Sequence, residues 1–313
     1  NNHKPSFVMA FIFSLLLCLS QTAAALTVTD NDQEILLDQH SRYLIDEGAQ
    51  AGLDDILARA GGFSAVSDRR QLNFGYTHDA YWLHIEIQPQ LQESQAWILE
   101  FEYAYLDDVT LYIVRADGRE TLRAGRYIPV DQWPLAGRKP AFPLQLNPGE
   151  KTELYIRIVN HAGMALNTRL LSAREYSLHN TQTVIILALY FGMLIALGCY
   201  NFLLFLALRQ KTFILYSAFV FTFGFAASGM NGIGSLIFWP DMALTGLADR
   251  IVPTGFSVAT ALAMMFARSF LQMQTLAPRW HRFLGMAIPL WWAGAALTLI
   301  SNVQHALQIM SVM

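Results

Sequence analysis

Two histidines six positions apart, His78 and His84, and two adjacent carboxylates, Asp107 and Asp108, are the residues whose types first suggest chemistry. The imidazole spacing on a strand-turn segment does not match a metal site, so both histidines read as structural. Asp107 and Asp108 read as the start of a strand in water, with a structural calcium as the alternative, because jelly-roll modules hold that ion through such groups. The sequence has no HExxH, Gly-rich phosphate loop, GxSxG elbow or Cys/His cluster with metal spacing. No catalytic residue, metal or cofactor is therefore expected, and the chain is not read as an enzyme.

Recognition chemistry is better represented. In Tyr81 to Ile87 the odd positions Tyr81, Leu83, Ile85 and Ile87 are apolar, which places Trp82, His84 and Glu86 on the opposite face of a strand. By the same alternation Leu154, Ile156 and Ile158 point inward, while Tyr155 and Arg157 point outward. Aromatic platforms beside hydrogen-bonding charge suit a small polar ligand such as a sugar or a carboxylate. Trp82, His84, Glu86, Tyr155, Arg157 and the nearby Trp133 are the ligand-binding expectation. The same residues would equally serve to cover the sheet or to pack under the loop around Trp133.

The elements that must position them follow from patterning. Tyr81 to Ile87, Trp97 to Tyr103, Val109 to Val114 and Glu153 to Val159 alternate or are β-rich. Ala116 to Arg119 and Asn147 to Glu150 supply turn chemistry. About eight short strands at this spacing predict an all-β, jelly-roll-like sandwich. Asp46 to Ala60 is expected to hold one short helix ended by Gly61-Gly62. The only cysteines, Cys18 and Cys199, cannot staple this domain, so its stability must come from its core.

Mean hydropathy is +0.31 with 14% charged residues, and charge nearly vanishes after His179. The average hides two segments with different solvents. Lys4, the apolar run Phe7 to Leu19 and Ala23 to Ala25 read as a signal peptide over 1–25. Residues 26–180 would form the exported sandwich. The region 181–313 would be an all-α transmembrane bundle, with helices at about 183–208, 213–239, 247–267 and 283–300.

Arg209, Lys211, Arg268, Arg279 and Arg282 lie in alternate loops, which makes those loops cytoplasmic and the sandwich periplasmic. The expected location is the bacterial inner membrane, multi-pass, with the bilayer as one partner and an unknown small periplasmic ligand as another. A homodimer is left open, and a net charge of −3 gives no reason for a nucleic-acid partner.

Small residues recur every fourth position in three of these helices. Gly192, Ala196, Gly224, Ser228, Gly232, Ala259 and Ala263 are expected to let backbones approach. No Asp, Glu, Lys, Arg or His lies near the middle of a span, which disfavours a pump or proton-coupled transporter.

The segments "LNFGYTHDAYWLHIEI", "FEYAYLDDVTLYIVRADG", "AGRYIPVDQWPLAGRKPAFPLQLNPGEKTELYIRIVN", "GCYNFLLFLALRQKTFILYSAF" and "GIGSLIFWP" occur in an order that resembles the bacterial seven-transmembrane receptors with diverse intracellular signalling modules. The resemblance implies a jelly-roll sensor, seven helices and a cytoplasmic output such as a diguanylate cyclase or a histidine kinase. It places Gly75, Trp82, Arg157 and Tyr200-Asn201 at family-typical positions. His84 departs from the pattern, which more often has Arg there. The four spans are fewer than the family's seven, so the sequence is expected to be the input end of a truncated receptor.

The leading expectation is therefore ligand sensing outside coupled to signalling inside, with Ser172 to Gln182 carrying the bias into the first helix. The alternatives are a membrane-anchored carbohydrate-binding or envelope-assembly protein and, more weakly, a transporter with an accessory domain.

Overall fold

The computed structural model describes residues 25–59, 62–66, 79–161, 167–240 and 242–300, with no side-chain description for 242–248. The expected signal peptide, Gly61, Gly75, His78 and residues 301–313 lie outside these.

Among the described residues eleven strands form two facing sheets. One contains β1 (Leu26–Thr29), β3 (Arg42–Asp46), β4 (Ser64–Ala65), β5 (Ala80–Gln90), β7 (Asp108–Arg115), β8 (Gly118–Ala124) and β10 (Thr152–Val159). The other contains β2 (Glu34–Leu36), β6 (Gln95–Phe101), β9 (Ala141–Leu146) and β11 (Thr168–Ser172). Pairing orders are β4-β3-β5-β10-β7-β8 and β2-β11-β6-β9, with β1 added parallel to β5. Without β1, β3 and β4, consecutive strands cross repeatedly between the sheets in the order of a jelly roll.

Alternation explains the core. Ile156 lies opposite both Leu83 and Leu111, and Leu154 opposite both Ile85 and Ile113. These side chains meet Trp97, Leu99, Phe142 and Leu170 of the facing sheet in one buried cluster. Truncating such a leucine to alanine costs about 2–5 kcal/mol, because the cavity only partly collapses. The expected turns form at Arg115–Gly118 and at Asn147–Glu150.

The outer face of the larger sheet departs from its expected solvation. The short helix α1 (Leu53–Ala58) and Phe63 cover it, and Ile56, Trp82 and Tyr155 form a second small core there with Leu44, Leu57 and Tyr112.

Strand β11 runs directly into α2 (Ala173–Leu208), whose Glu175 amide donates to the Ser172 hydroxyl at 3.3 Å. At 1.5 Å per residue α2 is about 54 Å long, well beyond a hydrocarbon core of about 30 Å. Its first turns therefore belong to the sandwich side. After Arg209, α3 (Lys211–Met230) returns, followed by α4 (Ile233–Ile237), α5 (Met242–Phe270), α6 (Met273–Leu276) and α7 (Pro278–Ile300). Four of these helices are long and apolar enough to cross a membrane.

Helix packing follows a partly different set of small residues. Ser228 and Ala259 are buried, Ala263 is half-buried, and a Cβ at Gly224 would stand 3.4 Å from Leu194. Gly192 and Ala196, by contrast, do not make the close approach of α2 to α3: nothing lies near a Cβ at Gly192, and Ala196 is exposed. That approach is made by Gly198, where a Cβ would lie 2.7 Å from the Phe221 ring. Gly232 is not a helix-packing position, since it breaks the chain between α3 and α4. Its φ is +77°, and a Cβ there would collide with the Arg138 carbonyl oxygen, so only glycine fits.

Candidate functional site

The ligand-binding residues expected from sequence separate into three settings. His84, Glu86 and Tyr155 do share the outer face of β5 and β10, with His84 directly opposite Tyr155. The two rings stack at 4.5 Å, and both the imidazole and the Tyr155 hydroxyl reach Glu153. Burial lowers the His84 pKa and raises that of Tyr155. Burial opposes ionisation of Glu153, but hydrogen bonds from Lys151 and Tyr155 hold its pKa below the usual range. Glu86 and Glu153 share Lys151, at 3.1 and 3.0 Å.

Trp82 and Arg157, also opposite each other, are taken up internally. Trp82 is fully buried and stacks on Tyr112, while Arg157 donates to the Ala49 carbonyl at 2.9 Å. The open aromatic platform expected at Trp82 is thus a packing contact beneath α1. Trp133 lies apart from the other five. It packs into the core between the sheets and donates its indole N–H to the Ile128 carbonyl at 2.9 Å.

A different constellation occupies the junction of sandwich and bundle. Arg126, its side chain only 4% exposed, lies between the fully buried carboxylates of Asp107 and Asp249 and donates to both. Asp107 ends the loop before β7, Arg126 follows β8, and Asp249 lies on α5 at the start of the third apolar span. The Tyr127 hydroxyl donates to Asp249 at 2.8 Å, and the Tyr105 ring lies 3.5 Å beneath the guanidinium. His161 completes the group by donating its backbone N–H and Nδ1–H to Asp107, each at 2.8 Å.

Local backbone geometry makes this possible. The amides of Arg126 and Tyr127 donate to the Leu106 and Asp107 carbonyls, at 2.8 and 3.0 Å, which zips the two loops together. Gly125 permits it, with a φ of +136° and space for a Cβ only 2.5 Å from the Asp107 oxygen. The adjacent acids therefore split. Asp107 turns into the junction, whereas Asp108 pairs outside with Arg123 at 2.7 Å. The expected solvated strand start holds for Asp108 and fails for Asp107.

Charges balance in this cluster when His161 is protonated, with two carboxylates against one guanidinium and one imidazolium. Burial raises the pKa of a carboxyl, yet Arg126 and His161 hold Asp107 below the usual carboxylate range. Burial likewise disfavours a charged guanidinium, but the facing groups push the Arg126 pKa up. The hydrogen bond to Asp107 raises the pKa of His161 against its partial burial. Tyr105 and Tyr127 are pushed up, first by burial and then by the carboxylates, and so remain protonated donors.

Beside the cluster opens a cavity of about 560 Å³, lined by Asp108, Thr121, Arg123, Tyr127, Pro129 and Gln132 among others. Tyr127 thus lines the cavity and bonds to the transmembrane helix. Among the described residues no group of three or more His, Cys, Asp or Glu side chains is arranged to hold a metal.

Sequence patterning missed this site because its members come from four separate stretches of chain, with Tyr105 and Asp249 144 positions apart and Asp107 and His161 54 apart. One signal was available, since Asp249 is an acid at the mouth of an apolar span, where it needs a partner.

Two family models match the chain. The model described as "7TMR-DISM extracellular 2" covers residues 38–172, and "7TM diverse intracellular signalling" covers residues 183–313. No curated protein matches. The first match covers the sandwich from β3 to β11 and the second covers the helices from within α2 onward, in the order of a membrane receptor with an extracellular sensor domain, and the chain belongs to the 7TMR-DISM family.

Proposed function

We propose that the sandwich binds a small polar ligand, a sugar or a carboxylate, and passes its occupancy to α5 through the Asp107–Arg126–Asp249 cluster. One observation carries this reading, namely that Tyr127 lines the 560 Å³ cavity and donates to Asp249 at 2.8 Å. Arg123, Asp108 and Gln132 offer that ligand a cation, an acceptor and an amide at the cavity wall. The sandwich is also tied covalently to α2 through Ser172, so it holds the start of α2 as well as α5. A ligand that favours one placement of the Tyr127 loop would shift α5 relative to α2.

In this reading residues 1–25 are a cleaved signal peptide, 26–180 the periplasmic sensor and 181–313 part of a seven-helix region in the bacterial inner membrane. The region passes the signal to a cytoplasmic output module. His84, Glu86 and Tyr155 serve as the covered outer face of the sheet.

The test uses the protein in lipid nanodiscs, a panel of monosaccharides and small carboxylates, and amide hydrogen exchange as the readout. A binder should protect residues 121–132 in both the native chain and Tyr127→Phe, because the cavity survives loss of the hydroxyl. Exchange at the first turns of α5 should respond in the native chain and respond far less in Tyr127→Phe. An equal response in both proteins would overturn this route.

A further inference from the structure

The end of the bundle opposite the sandwich holds a second polar cavity. Helix α5 meets the sandwich at Asp249 and ends at Phe270, so Arg268 and the start of α3 lie at the far end. There a cavity of about 790 Å³ is lined by Lys211, Arg268, His281, Ser269, Gln272 and Thr275 among others, and among the described residues no carboxylate lines it. Arg209, Arg279 and Arg282 flank these residues in sequence, and from Asn180 onward the only acids are Asp241 and Asp249. Asp249 is committed to Arg126 at the opposite end.

The side chains are held in place. Arg268 Nη2 and His281 Nε2 lie 2.8 Å apart. A guanidinium can only donate, so Nε2 accepts and the proton of this imidazole resides on Nδ1. That Nδ1 is buried with no hydrogen-bond partner. A hydroxyl pair, Thr212 and Ser269 at 2.7 Å, fastens the start of α3 to the end of α5 beside it. The cavity therefore presents an ammonium, a guanidinium and an imidazole together with side-chain amides and hydroxyls, with every charge of one sign.

We infer that this cavity binds a phosphate-bearing anion at the cytoplasmic membrane surface. Phosphate chemistry fits because its several acceptor oxygens can take fork-like donation from Arg268 and a point charge from Lys211 together. Two sources offer that group, the headgroup of an anionic phospholipid and a free phosphorylated solute. Basic pockets between helices at this depth are suited to lipid headgroups.

The experiment measures thermal unfolding of the purified chain in neutral detergent during separate titrations. These use short-chain phosphatidylglycerol, short-chain phosphatidylcholine and inorganic pyrophosphate. Phosphatidylglycerol or pyrophosphate should raise the midpoint, and phosphatidylcholine should not. The midpoint concentration should weaken at least tenfold in Arg268→Gln and in Lys211→Gln, and change less than twofold in Arg209→Gln. A response to the lipid alone identifies a headgroup site, and a response to pyrophosphate as well identifies a soluble anion. Equal weakening in all three variants would mean diffuse surface charge and would overturn the site, as would no response in the native chain. If Arg268→Gln fails to fold, Lys211→Gln decides alone.

Discussion

Replacing Asp249 with asparagine should loosen the sandwich from the bundle without unfolding either. The substitution keeps the shape and one acceptor oxygen but removes the charge that faces Arg126 and Tyr127. Breaking one side of a buried ion pair typically costs about 3–5 kcal/mol. The low end applies, because Arg126 keeps Asp107 and the face of Tyr105. About 3 kcal/mol corresponds to roughly a hundredfold rise in the population of the opened junction. Arg126→Met should be worse, near 5 kcal/mol, since it leaves two buried carboxylates with only His161, on the Asp107 side, to offset them. Hydrogen exchange in nanodiscs reads this directly. Amides of 105–108, 125–127 and 249–252 should exchange about a hundredfold faster in Asp249→Asn, while amides of β6 and β9 in the core keep their protection. Less than threefold acceleration at the junction, or equal acceleration in β6 and β9, would refute a local latch.

Three further outcomes follow from the same geometry. Because its hydrogen bond to Asp107 raises the folded-state pKa of His161 above 6.5, that contact contributes fully below pH 6.5 and is lost as pH climbs through the raised value. Exchange at the junction, corrected for the intrinsic pH dependence of amide exchange, should therefore accelerate as pH rises above 6.5 through the raised pKa in the native chain and stay flat in His161→Gln. Trp82→Ala should lower the stability of the sandwich by about 3–5 kcal/mol, as for a buried aromatic, and a thermal melt showing under about 1 kcal/mol would restore Trp82 as a surface platform. Gly198→Leu should weaken cysteine cross-linking between α2 and α3, whereas Gly192→Leu, where a Cβ meets nothing, should leave it unchanged.

What could be read from sequence was whatever repeats locally. Alternation placed Leu83, Ile85, Leu154 and Ile156 in the core, and hydropathy located four spans, because burial on one face or in lipid imposes a period or a length. The same alternation placed Trp82 and Tyr155 correctly on the opposite face but could not show what lies over it. That cover comes from α1 and Phe63, residues with no periodic relation to β5. The spacing of small residues suggested α2 contacts at Gly192 and Ala196. Which face of an evenly apolar helix meets a neighbour depends on the neighbour, here Phe221 against Gly198. The ion cluster was least legible. It joins four separate segments, and its adjacent acids Asp107 and Asp108 have opposite fates that only the pairing of two loops decides.

The position of Asp249 ties the docking of α5 to the fold of the sandwich. A carboxylate at the mouth of a span is stable there only with a partner, and its partners Arg126 and Tyr127 are presented by a loop that exists only when β7 and β8 are paired. In the proposed reading the bundle would sense the state of that loop through a concentrated charged contact. Such a contact can be biased by a few kcal/mol, which is the range available to a small ligand. Linkage then runs both ways. If a ligand in the cavity beside Tyr127 opens the junction, Asp249→Asn, which opens it without ligand, must tighten that ligand's binding by the factor it adds to opening, up to the limit of a fully open junction. If the ligand closes the junction, the same substitution weakens binding only in proportion to the closed fraction it removes, which is little while the closed form dominates. Tighter binding in Asp249→Asn therefore identifies a ligand that opens the junction, and the absence of tightening would refute that direction of signalling.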